Sequence, residues 1–176
     1  MTTETATRVP AFMEKETDRK ICFICSKGNL DMAYPALIMA NGAVGEGIET
    51  HIFFTFWGMD MINRKTMHDL KFTLLGNTAM HPPGRFGMSM PQGLGGLPGM
   101  TAMATRMLKK QIAAQGVPEV PEFLEMLVES GARLWACKMS VDMMGLTMDD
   151  LHEGVAGIIN VAEFLEVSDG AQVVFV

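Results

Sequence analysis

The chain has 176 residues, 48% of them hydrophobic, which is enough for one globular domain with a core of its own. A net charge of −6 and no basic cluster argue against nucleic acid as a partner, and three cysteines, an odd count, argue against a disulfide framework. Residues 1–18 lack the apolar run of a signal peptide and read as a flexible polar tail, so the expectation is a cytoplasmic protein with reduced thiols and a single domain over 19–176.

The first apolar run, KICFIC, reads as a buried strand, with Ser26-Lys27-Gly28-Asn29 as the turn after it. Leu30, Ala33, Tyr34, Leu37, Ile38 and Asn41 then recur at helical spacing, with Asn29 or Asp31 as the capping residue. Pro35 is expected early in that helix, where a missing N–H costs least, and Gly45 to Gly47 should end it. IETHIFFTFW is a second strand by its β-branched and aromatic content, which makes a right-handed βαβ unit. Residues 58–70 suggest a polar-faced helix.

From Phe72 to Thr105 Arg85 is the sole charged side chain, yet prolines and glycines interrupt the stretch too often for a membrane span. It reads as a Met/Gly/Pro-rich insertion, a mobile loop or lid, with His81 a loop residue that such a lid could carry toward a site. The chain holds 18 methionines, and thioethers suit Cu(I). The helical spacing of Met100, Met103 and Met107 fits core packing better than copper. VPEVPEFLEMLVESG is an amphipathic helix with acidic early turns and Gly131 suited to its C-terminal cap. ARLWAC is a strand, SVDMMG a helical turn, and Thr147-Met-Asp-Asp has capping-box spacing. GVAGIIN, VAEFLEV and AQVVFV close the chain as strand, helix and strand. The pattern predicts a three-layer α/β domain around a mostly parallel five-stranded sheet.

Ligands of such sheets bind beyond the carboxyl ends of the strands. Three loops leave strands there: the one after Cys25, the one holding Trp57, and Cys137-Lys138-Met139. If the strands are adjacent, Cys25, Cys137, Lys27, Lys138 and Trp57 gather at one edge. Cys137 stands between a strand and a short helix, where a helix start and the Lys138 cation would favour the thiolate. It is either a nucleophilic or sulfur-carrying thiol, or a small apolar residue at a strand end. Side chains three apart on a strand face opposite sides, so Cys22 and Cys25 are not a redox pair, and no histidine stands at zinc-ligand spacing from either. Cys22 is expected in the core and Cys25 at the site. Ser26, Lys27, Gly28 and Asn29 form a loop able to cradle an anion, without the spacing of a P-loop or a dinucleotide fingerprint. No metal site and no resident cofactor is called for.

CSKGNLDMAYPALIMANGA, IFFTFWGMD and LWACKMSVDMMG, followed by GIINVAEFLE and AQVVFV, together resemble the DsrE/DsrF/DsrH-like proteins over about 20–176. The branch with a long insertion before the cysteine strand fits best. The resemblance implies a flavodoxin-like fold, self-association, and a sulfur-relay role. In that role the cysteine at position 137 holds sulfur as a persulfide and exchanges it with a TusA-like or rhodanese-like carrier. Some relatives in this branch carry membrane segments, for which this chain has no suitable run. The expectation is therefore a sulfurtransferase or carrier using Cys137, with Cys25 as a second thiol and Trp57 and Lys138 beside them. The alternatives are a nucleotide-, flavin- or coenzyme A-binding protein, a thiol peroxidase with Cys137 peroxidatic and Cys25 resolving, and an interaction subunit without chemistry.

Overall fold

Alternation within the strands decides this architecture. In β1 (Lys20–Cys25), Phe23 and Cys25 project to one side, and Cys22 and Ile24 to the other. Helix α1 (Leu30–Gly45) follows, then β2 (Glu49–Phe54) and a 3-10 segment over Phe56–Met61. Next come α2 (Gln92–Gly95), α3 (Met100–Ala114), α4 (Val120–Glu129), β3 (Arg133–Cys137) and α5 (Lys138–Met144). A 3-10 turn at Met148–Asp150, β4 (Val155–Ile159), α6 (Val161–Val167) and β5 (Gln172–Phe175) complete the order. The computed structural model describes residues 18–77 and 91–176. The predicted tail over 1–17, the centre of the insertion, Met80, Met88, Met90 and His81 lie outside the described residues.

The five strands pair in the order β4-β3-β2-β1-β5, and every described pairing is parallel. The α/β class and five-stranded sheet predicted above are therefore what the chain forms. Strands β1 to β4 are added stepwise in one direction, so their crossovers lie on one face. The last crossover runs back across the sheet to set β5 beside β1, which places α6 on the other face.

The first face holds the larger core. Phe23, Ile52, Phe54 and Leu134 of the sheet meet Leu37 and Ala40 of α1 and Phe123, Leu124 and Leu127 of α4. Each such buried Leu or Phe contributes about 1.5–3 kcal/mol relative to exposure. Alanines 33, 36, 40 and 43 let α1 lie close to the sheet. The second core is smaller: Cys22, Phe53, Cys137, Ile159 and Phe164, with Phe164 of α6 stacked on Phe53 at 4.5 Å between centroids.

Four local expectations change. Residues 58–70 do not form a helix. After Met61 the chain turns, because Ile62 gives its carbonyl to the His152 N–H at 2.7 Å and Arg64 gives its N–H to the Asp150 carbonyl at 2.9 Å. Pairing with the 150–152 segment thus displaces the helical ladder. Pro35 is the sixth residue of α1, beyond the first turn, so a ladder bond to the Asp31 carbonyl is absent. Asn29 occupies the N-cap without a side-chain bond, and the first N–H of α1 donates instead to the Lys71 carbonyl at 2.9 Å. In α3 the buried face is Ala104 and Thr105, with Leu108 and Ile112 packed on the core, and Met103 and Met107 are exposed. The capping box is present: the Thr147 N–H donates to Asp150 Oδ2 at 3.0 Å.

Candidate functional site

Because β1, β2 and β3 are neighbours, the three loops singled out in the sequence do meet at the carboxyl edge of the sheet. Two glycines clamp them together. A Cβ on Gly58 would sit 2.0 Å from the Cys25 carbonyl oxygen, and one on Gly28 would sit 2.4 Å from that of Trp57. The Thr55 N–H donates to the Cys25 carbonyl at 3.0 Å and extends this junction. The loop after β2 is therefore held rigidly against the end of β1.

Cys137 is the last residue of β3 and the N-cap of α5, with φ −71° and ψ 119°. Its side chain faces the second core, and 4% of the residue is exposed. Burial pushes the thiol pKa up. The hydroxyls of Ser140 and Thr55 and the backbone N–H groups of Ser140 and Met139 act on the sulfur in the other direction and outweigh it, so the net shift is downward. Donors converging on a sulfur stabilise its anion, which is the nucleophilic form. Ser140 is fully buried, and its Oγ accepts the Phe56 N–H at 2.8 Å and lies 3.3 Å from Thr55 Oγ1. Phe56 has φ +46°, a left-handed conformation unusual for an aromatic residue.

The other expected site residues fall elsewhere. Lys138 binds Asp142 at 3.0 Å, one helical turn along an exposed face, so its ammonium is turned to that carboxylate and not to the sulfur. Cys25 does not meet Cys137. The register aligns Cys25 with Phe54 and Phe54 with Ala136, which sets Cys25 on the face opposite Cys137. Two strand spacings and one residue of rise separate their Cα atoms by about 10 Å, beyond the roughly 7 Å limit of a disulfide. The expected Cys25–Cys137 pair is thereby corrected: Cys25 is 2% exposed in the main core, its thiol pushed up to about 12 by burial. Cys22 shares the face of Cys137 but sits about 16 Å away by the same spacings. Burial pushes the Cys22 thiol up to about 11, with Lys20 opposing and Glu49 adding.

Gly28, Asn29 and Trp57 line an open cleft of about 280 Å³ with Asp60, Thr66, Asp69, Leu70 and Lys71. Trp57 is 64% exposed at its margin. The cleft carries two carboxylates, and its Lys71 is already paired with Asp69, so it offers no concentration of positive charge to a phosphate. Lys27 is exposed and does not line it, and Ser26 donates its hydroxyl to the Val176 carbonyl at 3.2 Å. Among the described residues no group of His, Cys, Asp and Glu could hold a metal ion, and no helix is long and apolar enough to cross a membrane.

Thr55 and Ser140 are the site residues that sequence reasoning missed. Ser140 had a signal, a hydroxyl three residues after a cysteine that opens a helix, the spacing of a capping interaction. Thr55 had none, because only the pairing of β2 with β3 brings it beside Cys137.

Among the described residues, a parallel five-stranded α/β sheet with one helix on its second face and a cysteine at a strand end defines the class. The family follows from comparison. Residues 17–176 match the model of the DsrE/DsrF/DrsH-like family, and the chain belongs to that family. It is 35% identical over 161 residues to the sulfur carrier protein DsrE2 of Allochromatium vinosum, covering 86% of this chain and 95% of the relative. It is 32% identical over 157 residues to the uncharacterized protein YrkE of Bacillus subtilis, covering 84% and 94%. Among solved structures, protein MTH1491 of Methanobacterium thermoautotrophicum, of unknown function, superimposes with TM-score 0.55 at 12% identity over 90% of this chain and all of that one. That likeness concerns the fold alone.

Proposed function

We propose that this chain is a sulfur carrier in which Cys137 receives sulfane sulfur, holds it as a persulfide and passes it to the thiol of a partner protein. The observation that carries the reading is the place of Cys137, the last residue of β3 and the N-cap of α5 at the carboxyl edge of the parallel sheet, with its thiol shifted downward despite burial. The name of the Allochromatium relative, a sulfur carrier protein, supports it. In loading, the Cys137 thiolate attacks the outer sulfur of a donor R–S–SH. A lone pair on Cys137 forms the new S–S bond, the donor's own S–S bond breaks, and its electron pair leaves on the inner sulfur as R–S⁻. In discharge an acceptor thiolate attacks the outer sulfur of the Cys137 persulfide, and the pair returns to Cys137. No outside oxidant or reductant enters either step.

The partner is a TusA-like or rhodanese-like protein, the assembly a homo-oligomer, and the compartment the reducing cytoplasm, where these thiols stay free. The peroxidase alternative loses its support because Cys25 stands on the other face. The nucleotide alternative loses its support because the cleft is lined by carboxylates.

The test is intact-mass measurement after exposure to inorganic polysulfide. The wild type should gain about 32 Da per sulfur atom, removable by dithiothreitol, and Cys137→Ser should gain none. An equal adduct on Cys137→Ser refutes the assignment.

A further inference from the structure

His152 is a buried histidine that the sulfur chemistry does not use. It stands between the 3-10 turn at Met148–Asp150 and β4, with 4% of the residue exposed. The Gly154 N–H donates to its Nδ1 at 3.0 Å. An accepting Nδ1 carries no proton, so the proton of the neutral ring sits on Nε2. Nε2 is buried and has no hydrogen-bond partner among the described residues. A second proton could go only to Nδ1. There it would face the Gly154 N–H, two donors in one place, and the charge of the ring would stand in the interior without a bonded counter-ion. Glu125 on α4 and the adjacent Glu153 favour the cation, and Arg64 opposes it. Burial outweighs the two carboxylates and holds the ring below the ordinary histidine value.

The residues around His152 hold a turn in place. The His152 N–H donates to the Ile62 carbonyl at 2.7 Å, and the Arg64 N–H donates to the Asp150 carbonyl at 2.9 Å. Asn63 and Leu151 form an antiparallel bridge, and Arg64 Nε donates to the Leu151 carbonyl at 2.6 Å. The turn carries Thr66, whose hydroxyl donates to the Asp60 carbonyl at 3.0 Å, and both residues line the cleft beside Trp57. We propose that residues 150–154 are a pH-sensitive latch with His152 as its trigger. While the ring is neutral it packs inside, and the 62–66 turn stays pinned. Once protonated the ring swings out to water, and the pinning bonds at Ile62, Asn63 and Arg64 go with it. The released turn loosens one wall of the cleft, so the latch ties the shape of that cleft to acidity in the range where histidines titrate. The Lys65–Asp150 ion pair is no rival trigger, because Asp150 is held down to about 2 and stays charged throughout that range.

The experiment takes the full chain from about pH 7.5 to about pH 5 as wild type, His152→Asn and His152→Leu. Asn keeps an acceptor for the N–H two residues on and takes no proton, whereas Leu fills the space with neither property. A ring held neutral in the folded state stabilises it fully above about pH 7, and that stability is lost as pH falls below the unfolded value near 6.5. Over this window the unfolding constant of wild type, from urea melts, should rise by up to about tenfold per pH unit relative to His152→Asn. Amide hydrogen exchange, read by mass and corrected for its intrinsic pH dependence, locates the effect. Peptides covering 62–66 and 150–155 should lose protection at about pH 5.5 in wild type, before β1 and β2 do, and keep it in His152→Asn. The histidine ring signal that both variants lack should titrate in wild type below about 6.5 by NMR. If His152→Asn folds poorly, His152→Leu is the non-titrating reference, and the ring titration of wild type stands by itself. A ring that titrates at about 6.5 or above, or urea midpoints of wild type and variant that run parallel, overturns the trigger. Acid destabilisation with no early loss of protection at 62–66 overturns the latch.

Discussion

Gly58→Ala is the most demanding perturbation of the site, because it touches no chemical group and should still disable it. The added methyl would stand 2.0 Å from the Cys25 carbonyl oxygen and 2.7 Å from its carbon. Neither is the movable end of a side chain. Relief requires the loop after β2 to lift from the end of β1, which strains the Thr55 N–H bond to that same carbonyl. Overpacking of this kind costs about 1–3 kcal/mol, and the fixed backbone on both sides argues for the upper end. At about 3 kcal/mol in a chain of this size, Tm should fall by roughly 6–12 °C. Gly42→Ala supplies a control of opposite sign. It lies inside α1 with nothing within 4 Å of a new Cβ, so it should raise stability by about 0.5–1 kcal/mol. Thermal melts followed by circular dichroism measure both. Because Thr55 moves with the loop, the Gly58 variant should also alkylate at Cys137 with a higher pH midpoint. A Gly58→Ala protein that melts within 2 °C of wild type refutes the picture of two clamped loops.

The three thiols should separate kinetically: iodoacetamide at pH 7.5 should label Cys137 in the native protein, and Cys22 and Cys25, pushed up to about 11 and about 12, only after denaturant is added. Equal native labelling of all three would contradict the opposite shifts of the Cys137 thiol and the other two. The Asp150 carboxyl is held down to about 2 by Lys65 and by the Thr147 N–H and hydroxyl, below an unfolded value near 3.9. Its stabilisation is complete above about pH 4 and is lost as pH falls toward about 2, so urea midpoints of Asp150→Asn should decline less over that window than those of wild type. Phe164→Ala removes the ring stacked on Phe53, and should cost about 3–4 kcal/mol by urea denaturation while exposing the second core to a hydrophobic dye. A cost below about 1 kcal/mol would mean that α6 does not anchor that face.

The succession of strands and helices was legible because it rests on local periodicity and on turn residues, as KICFIC followed by SKGN illustrates. Parity within β1 was legible too: Cys22 and Cys25 do face opposite sides. Which of those sides carries Cys137 was not legible, and Cys25, expected at the site, stands on the other one. That assignment depends on register across β2, a matter of pairing between residues more than 80 positions apart, for which the sequence has no local marker. Residues 58–70 were misread for a related reason. Met59, Met61 and Ile62 are all fully buried, and two backbone groups of that segment, the Ile62 carbonyl and the Arg64 N–H, are taken up by residues 150–152. The hydroxyl of Thr55 belongs with these, a residue whose meaning comes only from its neighbour on another strand.

The dispersal of the three cysteines has a consequence for the lifetime of a loaded carrier. Many thiol proteins keep a second cysteine close by, which discharges or oxidises the first within the same molecule. Here Cys25 is screened by the sheet itself, and Cys22 lies several residues down the same face, beyond bridging distance. On the proposed reading, a sulfur atom parked on Cys137 would have no internal outlet among these thiols. It would wait for an encounter, so the molecule would behave as a store whose release is timed by its partner's concentration and not by a clock of its own. Any disulfide found on the native protein through Cys137 should accordingly join two molecules, and its other half would be the record of a genuine meeting.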